Sequence, residues 1–322
     1  MKIIVDTEDR MEHNLLASKQ ASKQASKQAN IYLFSTVCAL LIVLRHSSNF
    51  VKTTSYNASM LVPDGTLGKM CFACQGFVYG GLSNLALYGF FVLSGYLFFR
   101  TFRIDNAGEK LKSRVQTLLI PYLIWQTADY WVMAMLTNLP FIANRINTEP
   151  YSLRLIDYAK SLIVPESIFW YLNYLIVFVA VSPLLYYLIK NRCHSVAYII
   201  AIGVLMALIG ESRIVYSLGC YSVGGILSIH IDRMSIENRN TKKAILRLIS
   251  GVAILITSGL LFFDVVNGVF IIPLRFVVNI VGVVSLWIFI DSFSHNVTAT
   301  KLLQNSFFIY CAHGVIVTIV KK

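Results

Sequence analysis

The sequence predicts an all-α protein, a polytopic bundle of transmembrane helices with about nine to ten membrane spans and a cytoplasmic N-terminus. Of the 322 residues, 56% are hydrophobic and 14% are charged, whereas an ordinary soluble domain is about a quarter charged. The apolar residues form blocks of about twenty, long enough for a helix to cross the hydrocarbon core. Most blocks lack the strict alternation of a lipid-facing β-strand, and as helices they satisfy their own backbone hydrogen bonds.

The chain begins with a polar segment. Residues 17–28 read ASKQASKQASKQ, a composition that offers no apolar face for a core. We expect a cytoplasmic tail over 1–30 and a membrane domain over 31–322. Codons for Ala-Ser-Lys-Gln can spell copies of the tetranucleotide GCAA, so the repeat could switch expression by slippage. An expanded coding repeat without regulatory meaning is the alternative.

The membrane domain contains about nine apolar blocks. In chain order they lie near 31–50, 78–99, 117–138, 168–189, 195–210, 214–231, 244–263, 270–290 and 302–320. The first block is interpreted as a permanent helix rather than a signal peptide, because it begins late and has no small-residue cleavage site.

The distribution of charge supports this topology. The formal net charge is +12, and with a cytoplasmic N-terminus most of the 28 Lys and Arg residues fall on inside segments, as the positive-inside rule requires. The basic excess therefore indicates orientation rather than nucleic-acid binding. Of the six cysteines, Cys71 and Cys74 form a lone CxxC, which lacks the second pair or the spaced histidines of a zinc site. No metal is expected.

One candidate catalytic residue lies at the external end of the first block. His46 follows Arg45 in the stretch LLIVLRHSSNF. Ionisable groups at membrane depth are costly and are usually retained because they face a polar cavity or a partner. A neutral imidazole can accept the proton of an attacking hydroxyl. The alternative is an interfacial pair that ends the helix among headgroups.

A second histidine lies inside the last apolar block. His313 belongs to SFFIYCAHGVIV, with Tyr310 one turn earlier on the same helical face. The pair could position a substrate. Alternatively, the histidine is simply satisfied by a hydroxyl or a backbone carbonyl.

A basic loop joins the second and third blocks. Arginine forms bidentate contacts with phosphates, so the loop could bind an anionic ligand, although the positive-inside rule alone also explains it. Its candidate contacts are Arg100, Arg103, Lys112 and Arg114. Just before the loop, Ser94-Gly95 by itself indicates close helix packing.

Several phrases occur in an order that resembles a known family. They are LLIVLRHS at the first helix, FFVLSGYLF at 90–98, RVQTLLIPYLIW at 114–125, FWYLNYLIVFVAVSPLL at 169–185, YSVGGILS at 221–228 and SFFIYCAHG at 306–314. Together they resemble the acyltransferase-3 family of membrane acyltransferases, which includes O-acetyltransferases of lipopolysaccharide and other surface glycans.

The resemblance implies an acyl-CoA donor, here acetyl-CoA, that approaches from the cytoplasm, and a lipid-linked or surface glycan acceptor. It implies membrane lipid as a partner, no nucleic acid, and a location in the cytoplasmic (inner) membrane. His46 would be the base, with Tyr310 and His313 shaping the catalytic cavity. Coenzyme A would contact Arg100, Arg103, Lys112 and Arg114, and the substrate cavity would include Arg45, Ser94 and Trp170.

Two features depart from the family pattern. The family usually has an arginine about three turns before the histidine of the first helix, where this chain has Ser35-Thr36. Members also tend to have about ten spans, whereas about nine apolar blocks are found here. The closing helix of the family therefore has no counterpart among these blocks. A glycan transporter or flippase and a non-catalytic membrane partner are the alternative functions. Inverted repeats or paired broken helices would favour a transporter, and neither is clear in the sequence.

Overall fold

The computed structural model describes residues 28–47, 65–139, 150–164, 168–231, 240–263, 271–293 and 305–320. Every regular element within these ranges is helical. The helices are α1 Gln28–Ser47, α2 Thr66–Phe99, α3 107–138, α4 Leu155–Ile163, α5 Trp170–Ile189, α6 Arg192–Ile209, α7 Arg213–His230, α8 Asn240–Phe263, α9 Ile271–Phe293 and α10 Ser306–Val320.

Six stretches of the described chain are long and apolar enough to cross a membrane. They lie in α1, α2, α5, α6, α8 and α9. The prediction of a helical membrane bundle is therefore confirmed. The count of nine to ten spans and the cytoplasmic N-terminus stay predictions.

The predicted polar tail lies almost wholly outside the described residues. Helix α1 begins at Gln28, the last residue of the ASKQ repeat. Its contacts place it beside α2 and α9. The buried ring of Phe34 packs 5.2 Å from that of Trp287, and a Cβ added to Gly89 would contact Phe34 and Cys38. At the start of α1, the Asn30 amide donates to the carboxylate of Asp291.

The tightest helix contact joins α2 and α7. A Cβ added at Gly95 would overlap the carbonyl of Tyr221, and one added at Gly224 would overlap the carbonyl of Val92. The two backbones therefore touch, which only glycine permits at these positions. The phrases FFVLSGYLF and YSVGGILS thus pack on each other, and the expectation of close packing at Ser94-Gly95 is confirmed.

Two helices change pitch within their length. A π-helical turn occupies Phe77–Leu82 in α2, and another occupies Val115–Leu119 in α3. Single π turns inside α-helices are rare and frequently mark functional sites. The turn in α2 receives the end of α1, which positions the candidate site described below.

Candidate active site

Arg45 fastens the end of α1 to α2. Its Nη1 donates to the backbone carbonyl of Tyr79 at 2.9 Å, to the hydroxyl of Ser83 at 3.2 Å and to the amide oxygen of Asn84 at 3.0 Å. The guanidinium also lies 4.4 Å from the centre of the Tyr79 ring. All three acceptors lie on or next to the π turn Phe77–Leu82. Arg45 therefore holds the last turn of α1, and the residue that follows it, in a fixed place.

His46 meets His313 of α10. The ring centroids are 5.2 Å apart and the planes are tilted by 46°. His46 is exposed, whereas His313 keeps only 4% of its surface accessible. Two histidines that are distant in the sequence therefore form one pair at the external end predicted for α1, with one ring buried and the other accessible.

The hydrogen bond of His313 fixes its tautomer. Its Nδ1 lies 2.5 Å from the backbone carbonyl oxygen of Tyr310. A carbonyl can only accept, so Nδ1 carries the hydrogen, and in the neutral imidazole Nε2 then carries the lone pair. Nε2 is buried and has no hydrogen-bond partner in the structure. His313 therefore presents an unused acceptor beside His46.

Tyr310 forms part of the wall behind this pair. Its ring lies 5.7 Å from that of His313 and 5.6 Å from that of Tyr171. Its hydroxyl donates to the backbone carbonyl of Ile168. The hydroxyl of Tyr310 is therefore already engaged, and its ring is buried.

Ser94 is linked to Tyr310 through Tyr171, which was not among the site residues predicted from the sequence. The hydroxyls of Ser94 and Tyr171 are 2.9 Å apart, and Tyr171 in turn packs edge-on against Tyr310. Contacts thus run from Ser94, near the C-terminal end of α2, to the histidines. The position of Tyr171 next to Trp170 in the aromatic phrase was the available signal.

Trp170 stands on the other side of Tyr171. Its ring lies 6.1 Å from that of Phe91, and the guanidinium carbon of Arg213 lies 5.8 Å from the ring centre. Trp170 therefore contacts the first residue of α7.

The four predicted donor-binding residues lie at the other end of α2. Arg100, Arg103 and Lys112 are exposed, and Arg114 is half-buried, with its guanidinium carbon 5.9 Å from the Phe98 ring centre. Asn84 and Phe99, near the two ends of the helix Ser83–Phe99, are roughly 22 Å apart at 1.5 Å per residue. The basic segment and the histidine pair are therefore two separate regions joined by α2.

Lys110 lies in the same basic segment but was not among the predicted donor-binding residues. Its Nζ donates to the backbone carbonyl of Phe98 at 2.6 Å and to the hydroxyl of Thr101. Burial, and secondarily the charge of Arg114, lowers the pKa of Lys110 from 10.5 to about 8. These hydrogen bonds connect Lys110 to the C-terminal end of α2 and so hold the loop between α2 and α3 in one shape.

The family model described as an acyltransferase domain matches residues 33–322, which covers most of α1 and all of α2 to α10. The chain belongs to the acyltransferase-3 family. The match confirms the resemblance drawn from the sequence phrases and, with the apolar helices, shows a multi-pass membrane acyltransferase. Neither the search of curated proteins nor the search of solved structures gave a significant match. The roles assigned to individual residues of this acyltransferase-3 protein stay predictions.

Proposed function

We propose that this protein is an integral membrane O-acetyltransferase of the cytoplasmic membrane. It transfers an acetyl group from acetyl-CoA to a sugar hydroxyl of a lipid-linked or surface polysaccharide, or of lipopolysaccharide. The family gives the reaction class. The single observation that carries the mechanism is the pair His46–His313, in which the buried ring offers an unpartnered Nε2 beside an accessible imidazole.

The chemistry needs a base for the sugar hydroxyl, which is a poor nucleophile while it keeps its proton. In the proposed reaction the hydroxyl oxygen attacks the thioester carbon while its proton moves to His46. The new C–O bond forms, the C–S bond breaks, and the coenzyme A sulfur leaves and is finally protonated. His313 accepts a hydrogen bond through Nε2, from the hydroxyl or from protonated His46. A positioned base of this kind contributes about 10²–10⁴ in rate.

The donor is proposed to enter at the opposite end of α2. Arg100, Arg103, Lys112 and Arg114 would contact the phosphates of coenzyme A, since guanidinium and ammonium groups are suited to phosphate oxygens. The flexible pantetheine arm would then carry the thioester along α2, past Ser94, toward the histidines. This arrangement accounts for the separation of the basic segment from the histidine pair.

The topology belongs to the same proposal. A cytoplasmic N-terminus puts the basic segment inside, where acetyl-CoA is available, and puts His46 at the outer side, where surface glycans are assembled. It also gives about nine to ten crossings, with the chain outside α1, α2, α5, α6, α8 and α9 supplying the remainder.

The direct experiment uses purified protein in lipid nanodiscs, with acetyl-CoA and glycan extracted from a strain that lacks the gene. Release of free coenzyme A and a gain of acetyl groups on the glycan are expected together. Glycan movement across a bilayer without coenzyme A release would indicate a transporter, and neither activity would indicate a non-catalytic partner.

A further inference from the structure

A polar cleft that is lined by Gly80, Asn84 and Tyr88 opens next to the π turn of α2. Its volume is about 550 Å³, within the range of small-molecule sites. Four helices build it. Its polar and aromatic lining includes Asn84 and Tyr88 of α2, Arg213 and Tyr216 of α7, and Arg275 and Asn279 of α9.

The cleft is positively charged. Arg275 pairs with Glu211 through Nη1 and Oε1 at 3.1 Å. Arg213, which is exposed at the rim, has no carboxylate within ion-pair distance among the described residues. Two arginines and one glutamate therefore leave one excess positive charge. Because arginine stays protonated and presents a fork of donors, it is suited to a carboxylate or phosphate.

The guanidinium of Arg213 is also held in position. Its central carbon lies 5.8 Å from the ring centre of Trp170, a cation–π contact. The contact keeps the donors of Arg213 at the mouth of the cleft.

The floor of the cleft has an unused acceptor. Asn279 is 2% exposed, and its amide nitrogen donates to the hydroxyl of Tyr216. Its amide oxygen is buried and has no hydrogen-bond partner in the structure. Buried polar atoms are nearly always satisfied, so a donor from a bound molecule is expected there. A sugar hydroxyl is such a donor, and the rings of Tyr88 and Tyr216, 4.4 Å apart, form an aromatic wall beside it.

The cleft is linked to the histidine pair. Asn84 lines the cleft and accepts a hydrogen bond from Arg45 at 3.0 Å, and Arg45 directly precedes His46. A glycan in the cleft would therefore contact Asn84, which is bonded to the end of α1 that carries His46.

We propose that this cleft is the acceptor site and that it selects a glycan unit bearing an anionic group. Arg213, with Arg275, binds a carboxylate or phosphate of that unit, and Asn279 Oδ1 accepts one of its hydroxyls. The assignment of the cleft as an acceptor site rests on the proposed acetyltransferase function, whereas its preference for anions rests on the cleft alone.

The test is a binding measurement with three probes on the full-length protein in nanodiscs. The probes are methyl glucuronide, methyl glucoside and glucose 6-phosphate. The binding of each probe is measured by saturation-transfer NMR. Loss of one charge-assisted hydrogen bond typically weakens binding roughly tenfold or more, so at least one anionic probe should bind roughly tenfold tighter than the glucoside. Tighter binding of the glucuronide identifies a carboxylate as the natural group. Tighter binding of the phosphate identifies a phosphate, and equal gains show that charge alone is recognised.

Variants decide whether the cleft is responsible. Arg213→Gln should remove the preference for anions, while Arg154→Gln, an exposed arginine outside the cleft, should retain it. Asn279→Ala should weaken all three probes alike. Equal binding of the three probes by the wild type, or a preference that survives Arg213→Gln, would overturn the proposal.

A separate transfer assay keeps the two proposals distinguishable. Anion-selective binding without any coenzyme A release would contradict the acetyltransferase function but leave the anion site standing. Acetyl transfer to charged and neutral acceptors at equal rates would contradict the selectivity of the cleft but leave the acetyltransferase function standing.

Discussion

His46 and His313 face each other with ring centroids 5.2 Å apart, although one ends the first helix and the other lies in the last. The buried ring is fixed by its Nδ1 hydrogen bond to Tyr310, and the accessible ring follows Arg45, which is fixed to α2. Two independent anchors thus define the pair.

Replacement of the α1 anchor should reduce catalysis more than donor binding. Arg45→Gln removes the guanidinium that contacts Tyr79, Ser83 and Asn84, so His46 loses its fixed position. Misplacement of His46 should cost catalysis about as much as one hydrogen bond from a charged donor, roughly 1.5–3 kcal/mol, which corresponds to a fall of roughly 10–100-fold in kcat. The KM for acetyl-CoA should stay near the wild-type value. An unchanged kcat in a well-folded variant would show that Arg45 does not position the base.

The contact between α2 and α7 should not tolerate a methyl group. Gly95→Ala and Gly224→Ala place a Cβ against a carbonyl of the facing helix, and such overpacking costs about 1–3 kcal/mol. Thermal unfolding in detergent should show a lower Tm for each variant. Gly203→Ala in α6 is the matched control, because its Cβ would have no atom within 4 Å and alanine favours helix. Equal Tm values in all three would contradict the close approach.

The donor side can be tested by charge removal. Neutralisation of Arg100, Arg103, Lys112 and Arg114 to glutamine should raise the KM for acetyl-CoA, since phosphate contacts would be lost. The double variant Lys190→Gln and Arg192→Gln removes two exposed cations, one directly after α5 and one at the start of α6, and is the control for a general change of charge. If the quadruple variant inserts correctly and binds acetyl-CoA as tightly as the wild type, the segment serves topology alone.

The orientation of the chain in the membrane can be measured directly. A reporter fused at residue 108, or a cysteine placed there and labelled from one side, should place the segment after α2 in the cytoplasm. The chain near residue 152 should be external. An external signal at residue 108 would reverse the orientation and remove the proposed donor side.

Much of the fold was predictable because a membrane helix can be recognised from its own short stretch of sequence. A block such as 168–189 needs only length and apolar composition to be recognised, and it corresponds closely to α5, Trp170–Ile189. Helices α3 and α7 were also predicted as helices, although they are not among the six stretches long and apolar enough to cross a membrane. Helix existence is a local property, whereas the number of crossings depends on how polar helices sit among their neighbours.

The site was less predictable because its contacts join distant parts of the chain. His46 and His313 were singled out from intramembrane cost, and their pairing was not visible before the helices were assembled. The π turn that receives Arg45 has no sequence signature, since its stretch FVYGGL reads as ordinary helix. The cleft draws side chains from four helices, and Arg213 and Asn279 carry no local pattern that separates them from ordinary helix-end and core residues.

The most direct test of the account is acetyl transfer by the histidine variants, measured beside the amount of correctly inserted protein. His46→Ala should lower transfer by roughly 10²–10⁴-fold, and His313→Ala should lower it strongly as well, while both proteins insert normally because alanine is the more apolar residue. His194→Ala, an exposed histidine of α6, should keep most of the activity. Normal acetylation by well-inserted His46→Ala protein would contradict the assignment of the base and the mechanism built on it.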